Sequence, residues 1–458
     1  MITTCLYFFF NIIFKFDSFK NLLEIVLDNW VMEGFSELNE PSFKIYKNTD
    51  KNLITSATKI QDDNEFVIFP TDYVYRLLAN GFKLTSFRKF ERFIRQPKEE
   101  KLTYCQPVAI GCLGTYDASL FVKLSLEEQN IFDILIKTYW PGPLIIFARA
   151  SEIVPKHLLV DGKWIALCCP SNKFIRKVIQ FSNGLPIIIS YATHHNKPPS
   201  TTFEHIFNKF GSKKFHVYRQ VQPPKKNNEG DNIRHNTGDN SIEDPSLPKM
   251  DHQEPTLIDN DTCKYCLEDT IVKITDQQIS LVNNGFISKQ QIETVLSNTG
   301  IKQIMKEQIS NHFDWEKQLY VLNILDLSVH INSKHEFNEE LREHTLKYLD
   351  KTVLFDFNGK LAKYENCFGV YVDLSKNGHI EEAIMNLYSV IHQILELRDK
   401  TIKLLVYDFS HGIFKTNSQK NLNLVFWNKI HQIANDRRLV IPVHFLSQNV
   451  QVMDSQIP

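Results

Sequence analysis

The sequence predicts an α/β protein built in two units, and three observations carry that expectation. Apolar strand-like runs alternate with amphipathic helix-like stretches between residues 52 and 296. The alternation returns in a more regular form from 353 to 445, and a polar stretch without periodic apolar positions, about 220–261, breaks the first set. With 458 residues, 43% of them hydrophobic, the chain can bury two or three ordinary cores, which excludes wholesale disorder.

Taken in order, Asn52 to Asn64 suits a helix, and Phe66-Val-Ile-Phe69 is a buried-strand run stopped by Pro70-Thr71-Asp72. Thr85 to Ile94 sets Phe87, Phe90 and Ile94 at helical spacing, with Arg88, Lys89, Arg92 and Arg95 on the other faces. Pro107 to Cys112, Pro143 to Arg149, Trp164 to Cys169 and Leu185 to Ser190 read as strands, separated in places by helices at Leu126 to Tyr139 and Phe174 to Phe181. After the polar stretch, Thr270 to Ile274 resumes a strand and Ser288 to Leu296 a helix. In the last third, Val353 to Phe357, Phe368 to Asp373, Lys403 to Tyr407 and Leu439 to Phe445 read as buried strands. Between them run amphipathic helices through Ile380, Ile384, Leu387, Ile391 and Ile394, and through Leu422, Val425, Phe426, Ile430 and Ile433. Such alternation favours a small, Rossmann-like parallel sheet, and the absence of GxGxxG and GxxxxGK[ST] loops argues against nucleotide binding by those devices.

Lys plus Arg number 52 and Asp plus Glu 53, so no global field draws the chain to nucleic acid or anionic lipid, and any such partner must meet a local patch. The eight cysteines, at 5, 105, 112, 168, 169, 263, 266 and 367, are too sparse for a secreted disulfide scaffold, which makes a reducing compartment the expectation. Cys263-Lys-Tyr-Cys266 is half a zinc ribbon without its second pair, and tetrahedral zinc needs four ligands. The apolar run Leu6 to Phe16 is short for a membrane span of about 20 residues and lacks a basic flank or cleavage site. A docking helix, a divergent organelle-targeting leader, and upstream sequence ahead of a start at Met32 all remain open for it.

Pro70-Thr71-Asp72 places a hydroxyl and a carboxylate where a chain leaves a sheet, although a plain turn has the same composition. Trp140-Pro-Gly-Pro143 is a rigid corner, and Pro198-Pro-Ser-Thr-Thr202 offers hydroxyls that cap a helix or present N–H groups to an anion.

In this order the pieces resemble the YrdC-like family of threonylcarbamoyl-AMP synthases, in its long form with an added C-terminal domain. The family's "FPTDTVYGLxAN" looks like Phe69-Pro-Thr-Asp-Tyr-Val-Tyr-Arg-Leu-Leu-Ala-Asn80, and its "WPGPLT" like Trp140-Pro-Gly-Pro-Leu-Ile145. Its "VAVRxPxH" is similar to Ile165-Ala-Leu-Cys-Cys-Pro-Ser-Asn172, and its "PIAAPSAN" to Pro186-Ile-Ile-Ile-Ser-Tyr-Ala-Thr193, running on to Thr201. After the polar stretch, "GVESTVVD" resembles Cys266-Leu-Glu-Asp-Thr-Ile-Val-Lys273, and "LLRPG" resembles Leu281-Val-Asn-Asn-Gly285. The C-terminal helix beginning Glu381-Glu-Ala-Ile-Met-Asn-Leu-Tyr388 also has a counterpart. The likeness runs from about residue 50 to 445.

The resemblance implies a YrdC-like twisted mixed-sheet domain at 46–299, with a disordered insertion at about 220–261, followed by a linker at 300–350. A smaller Rossmann-like α/β domain at 351–458 completes the chain, and an apolar leader or extension covers 1–45. It implies condensation of threonine, bicarbonate and ATP, with Mg2+ carried by ATP, into L-threonylcarbamoyladenylate for tRNA threonylcarbamoyladenosine modification. ATP and threonine positions fall on Thr71, Tyr75, Arg76, Arg95, Ser190, Thr193, Thr201 and Thr270. No metal ligand is expected from protein side chains. The expected location is cytoplasmic, with organelle targeting by the N-terminus as the other reading.

The departures from the family pattern fall on charged positions. The Lys-x-Arg-Pro clamp aligns with Ile94-Arg95-Gln96-Pro97, and the strand arginine becomes Cys168, a thiol that is mostly neutral at pH 7. In the "SAN" stretch the serine is Tyr191 and the asparagine is Thr193; in the first motif Tyr73 replaces a threonine and Arg76 a glycine; Asp269 stands where the "ST" serine would be. Losing one buried cation that pairs with an anionic substrate costs about 2 to 5 kcal/mol, so turnover requires a compensating charge, for which Arg76 is the first choice. The alternative is a non-catalytic YrdC-like protein that binds tRNA or a partner, using Arg88, Lys89, Arg92, Arg95, Lys98 and Lys101.

Overall fold

A computed structural model describes residues 43–47, 49–61, 65–94, 107–194, 197–210, 215–219, 263–275, 278–297, 304–306, 319–325, 347–396, 403–412, 414–434, 437–442 and 446. The insertion read at 220–261, Arg95 and the rest of the clamp after Ile94, Lys98, Lys101 and the apolar run Leu6 to Phe16 lie outside the described residues.

Two sheets organise the chain. The first has eleven strands among the described residues: β1 (Phe43–Lys47), β2 (Val67–Phe69), β3 (Arg76–Asn80), β4 (Ala109–Gly111), β5 (Leu144–Arg149), β6 (Trp164–Cys168), β7 (Ile187–Tyr191), β8 (Phe215–Arg219), β9 (Thr270–Thr275), β10 (Gln278–Asn283) and β11 (Met305–Lys306). Their order is β1-β8-β2-β3-β7-β4-β6-β5-β9-β10-β11, with both parallel and antiparallel neighbours.

The strands read as continuous apolar runs because both faces of this sheet are covered. Val67, Phe69, Leu78, Ala109, Ile145, Phe147, Ile187 and Ile189 point to one face, where they pack with α1 (Asp50–Gln61) and α5 (Lys173–Phe181). The intervening Ile68, Leu77, Ala79, Ile110, Leu144, Ile146 and Ile188 point to the other. There they meet α2 (Leu84–Ile94), α4 (Leu126–Tyr139), α6 (Phe203–Phe210) and α7 (Lys289–Leu296), while α3 (Thr115–Leu120) adds Ala118.

Side-chain caps fix where several helices begin. Ser125 and Glu128 form a reciprocal capping box on α4, and Ser288 and Gln291 form another on α7. Asn172 accepts from Phe174 N and Ile175 N, both at 3.0 Å, to start α5, and its amide donates to Pro70 O at 3.2 Å. One cap therefore also anchors the loop after β2.

The second sheet is parallel throughout: β12 (Leu319–Leu325), β13 (Thr352–Asp356), β14 (Val370–Asp373), β15 (Lys403–Tyr407) and β16 (Arg438–Pro442), in the order β14-β13-β15-β12-β16. Helices α8 (Ile380–Glu396) and α9 (Asn417–Ala434) return the chain between strands. Val321, Val353, Phe355, Leu404 and Val406 join these helices in an apolar cluster continuous with that of the first unit. The alternate residues Leu322, Leu354 and Leu405 pack on the far face with Leu361 and Tyr364.

The structure moves three expected boundaries. β12 lies inside the stretch read as a linker at 300–350 and sits between β15 and β16, so the second unit begins before 351. β11 pairs with β10 beyond 299, and β1 starts inside 1–45 and pairs with β8. The place of all three is set by strand partners elsewhere in the chain.

Candidate functional site

The site forms where strand ends of the first sheet meet along one edge. The register sets Phe69, at the end of β2, against Arg76 at the start of β3, and Arg76 against Tyr191 at the end of β7. It likewise sets Gly111 and Ile145 against Cys168, and Leu144 against Thr270. The loops leaving these ends are tied together by backbone bonds: Tyr75 N to Ser200 O and Ala192 N to Tyr75 O, both at 2.9 Å, Tyr265 N to Asp72 O at 2.7 Å, and Cys263 N to Thr201 O at 2.8 Å. Segments 70–75, 191–201 (of which 191–194 and 197–201 are described) and 263–269 thus form one rim.

The threonines expected to touch substrate hold this rim in shape. Thr71 Oγ1 donates to Val74 O at 2.8 Å and accepts from Tyr73 N and Val74 N, closing the turn after β2. Thr193 Oγ1 donates to Pro198 O at 2.8 Å and accepts from Lys209 Nζ, which also reaches Pro198 O at 2.7 Å and Ser200 Oγ at 3.2 Å. Thr201 N donates to His205 Nδ1 at 3.2 Å, while Thr202 Oγ1 caps α6 by accepting from His205 N. Thr270 Oγ1 donates to Ile287 O at 2.6 Å and accepts from Ile287 N at 2.8 Å, drawing in the turn after β10. Gly285 is required in that turn, since a Cβ there would lie 2.1 Å from the Asp269 carbonyl carbon. Tyr75 is fully buried in the apolar core, and Ser190, also buried, has a hydroxyl without a hydrogen-bond partner among the described residues.

At the floor, Arg76 forms an ion pair with Asp269, Nη2 donating to Oδ2. The two are 7% and 5% exposed. The guanidinium carbon lies 4.5 Å from the centre of the Tyr191 ring, whose hydroxyl is 3.4 Å from Asp269 Oδ2. Burial alone would lower the Arg76 pKa, but the Asp269 charge, the Tyr191 field and the hydrogen bond outweigh it and raise it. Burial pushes the Tyr191 phenol and the Cys168 thiol up, despite the pull of Arg76, so both are neutral at pH 7. Cys168 is neutral, as its residue type led us to expect, and Arg76, the expected compensating cation, has a partner supplied by the chain itself. Beside the floor, Tyr73 stacks on Tyr265 at 5.3 Å and meets Phe286 edge-on at 5.1 Å.

Sequence reasoning overlooked the residues behind the floor. Glu268 Oε1 pairs with Lys429 Nζ at 2.8 Å, and its Oε2 accepts from Tyr388 OH at 2.9 Å. Asn283 donates to Asp269 O at 3.0 Å and accepts from Lys429 at 3.3 Å and Gln432 at 3.0 Å. His392 Nε2 reaches Pro199 O at 2.8 Å, with its ring centre 3.9 Å from that of His205. The signal for Lys429 was present: it sits in the stripe Leu422, Val425, Phe426, Ile430 and Ile433, where a charge demands a partner.

Among the described residues no group of three or more His, Cys, Asp or Glu could hold a metal, and no helix is long and apolar enough to cross a membrane. Cys263 and Cys266 are buried, and Cys266 Sγ donates to Cys263 O at 2.9 Å.

Comparison with known proteins agrees with this geometry. Residues 59–243 match the Sua5_yciO_yrdC family, described as "Telomere recombination". A curated threonylcarbamoyl-AMP synthase of Pyrococcus abyssi is 26% identical over 151 residues, 33% of this chain and 42% of the relative. A threonylcarbamoyl-AMP synthase of Bacillus subtilis is 21% identical over 261 residues, 57% of this chain and 61% of the relative. The chain therefore matches less than two thirds of the length of either relative. Among solved structures, a variant of Pyrococcus abyssi Sua5 superposes with a TM-score of 0.58 at 17% identity, covering 88% of this chain and 99% of that one. The same protein complexed with L-threonine gives 0.57 at 17% identity, covering 87% of this chain and 99% of that one. Residues 59–243 therefore carry a segment similar to the Sua5/YciO/YrdC family, and the chain shares the fold of Sua5.

Proposed function

We propose that the chain is a divergent threonylcarbamoyl-AMP synthase, condensing threonine, bicarbonate and ATP into L-threonylcarbamoyladenylate for tRNA modification. The observation that carries this reading is Arg76, a guanidinium at the point where the strand ends and the three rim segments converge. Every reactant carries a negatively charged group, so the reaction needs a fixed cation and N–H donors at such a point, and much of the rate comes from holding the reactants together. In this reading the segments 70–75 and 191–201 position the substrates while Arg76 orients a carboxylate or phosphate. Mg2+ would accompany ATP in this reading and offset charge on its phosphates.

A second reading is favoured by one specific contact. With Arg76 neutralised by Asp269 and Cys168 uncharged, the floor suits a non-catalytic protein that binds tRNA or a partner of the modification machinery. Arg88, Lys89 and Arg92, exposed on α2, would then meet phosphate.

Pyrophosphate release separates the two. Release that needs ATP, threonine and bicarbonate together supports the synthase, and a rise in melting temperature with ATP plus threonine supports substrate binding. No release from folded protein that binds tRNA in a salt-dependent way would leave only the second reading.

A further inference from the structure

The Arg76–Asp269 contact joins residues 193 positions apart, and the carboxylate is delivered by a backbone that cannot drift. Asn283 holds the Asp269 carbonyl at 3.0 Å, and the close approach of Gly285 backs the same peptide. Glu268, the preceding residue, is fixed by Lys429 and Tyr388 of the second unit. Tyr191 lies against the guanidinium, and its hydroxyl approaches the same Asp269 oxygen. A buried guanidinium holding a carboxylate of its own chain makes the same contact as one holding the carboxylate of a ligand.

We propose that Asp269 is a tethered carboxylate that occupies Arg76 and keeps the site self-inhibited, so that a carboxylate-bearing ligand must enter by exchanging for it. Only the identity of that ligand, threonine, rests on the synthase reading. The exchange follows from electrostatics: one buried guanidinium stabilises one carboxylate, and a second anion beside Asp269 would meet like charge in a medium of low dielectric.

The test compares wild type, Asp269→Asn, Asp269→Ala and the double variant Arg76→Met/Asp269→Ala, all as full chains. Calorimetry reads L-threonine affinity, and thermal melts read the effect of sodium formate against sodium chloride at equal ionic strength. L-threonine should bind Asp269→Asn at least about tenfold more tightly than wild type, because its competitor has lost its charge. Formate, a bare carboxylate, should raise the melting temperature of Asp269→Ala by about 1 °C or more and leave wild type and the double variant unmoved. Folded Asp269→Asn that binds threonine no more tightly than wild type overturns the proposal, as does a formate effect that persists in the double variant. If Asp269→Ala does not fold, Asp269→Asn decides alone. None of these readouts requires turnover: absent pyrophosphate release would sink the synthase reading while leaving this one intact, and unchanged affinity in Asp269→Asn would sink this one while leaving an active enzyme untouched.

Discussion

His205 and His392 show how neutral a buried imidazole must be when no acid among the described residues faces it. His205 Nδ1 accepts from Thr201 N, and His392 Nε2 lies on a carbonyl, so each ring is held in one neutral tautomer. The groups facing the pair, from α6 and residues 197–201, are Lys209, Thr201 and the Pro199 carbonyl. Burial first, then Lys209, brings His205 down to about 3, and the same two causes, with His205 itself, lower His392 well below its ordinary range. Because the folded pKa values lie below the unfolded value, the unfolded chain takes up more protons. The stability is therefore complete above about pH 6.5 and declines as pH falls toward the folded values. Between pH 6.5 and 5 the loss from His205 should be about 2 kcal/mol, and His392 adds a loss in the same direction. Urea midpoints measured at pH 7.5 and 5.0 check this, with His392→Gln expected to flatten the slope; a pH-independent midpoint would contradict it. Among single residues, the neutrality of Cys168 was legible from its type. The partner of Arg76 was not, because Asp269 comes near it only through the pairing of β5 with β9 and the turn at Gly285.

Elements were legible to the degree that their own residues settle them. The helix at Leu126–Tyr139 and the strand Lys403–Tyr407 fall where periodicity and apolar content put them. β3 went unread because its run begins with a polar motif and Arg76, and its strand character depends on pairing with β2 and β7. In α9 the stripe was legible and the exception within it was not used. Lys429, 1% exposed, neutralises Glu268, so Lys429→Met leaves a buried carboxylate unpaired. That change should cost about 3 to 5 kcal/mol, whereas Lys429→Met combined with Glu268→Gln should recover a large part of the loss. Urea unfolding of the three variants measures both; equal loss in the single and double variants would mean that the pair is not the source.

On the scale of the whole molecule, the two units share one apolar cluster, with α8 and α9 bonded to the first unit while they pack on the second sheet. The sequence indicated two α/β units but not this shared layer, since helical periodicity marks an apolar face without saying which neighbour covers it. A fragment ending at Lys306 would expose the apolar surface beneath α8 and α9 and leave Glu268 without Lys429 or Tyr388. It should lose cooperative unfolding and bind a hydrophobic dye, as compact states without fixed packing do. A fragment with a sharp urea transition and no dye binding would show that the first unit is self-sufficient.

The neighbours Glu268 and Asp269 serve different masters: one carboxylate answers to the second unit, the other to the arginine in the floor. A single peptide plane lies between them, so Lys429 on α9 and Arg76 in the floor hold the two ends of one short segment. What fixes one end of that segment therefore bears on the other.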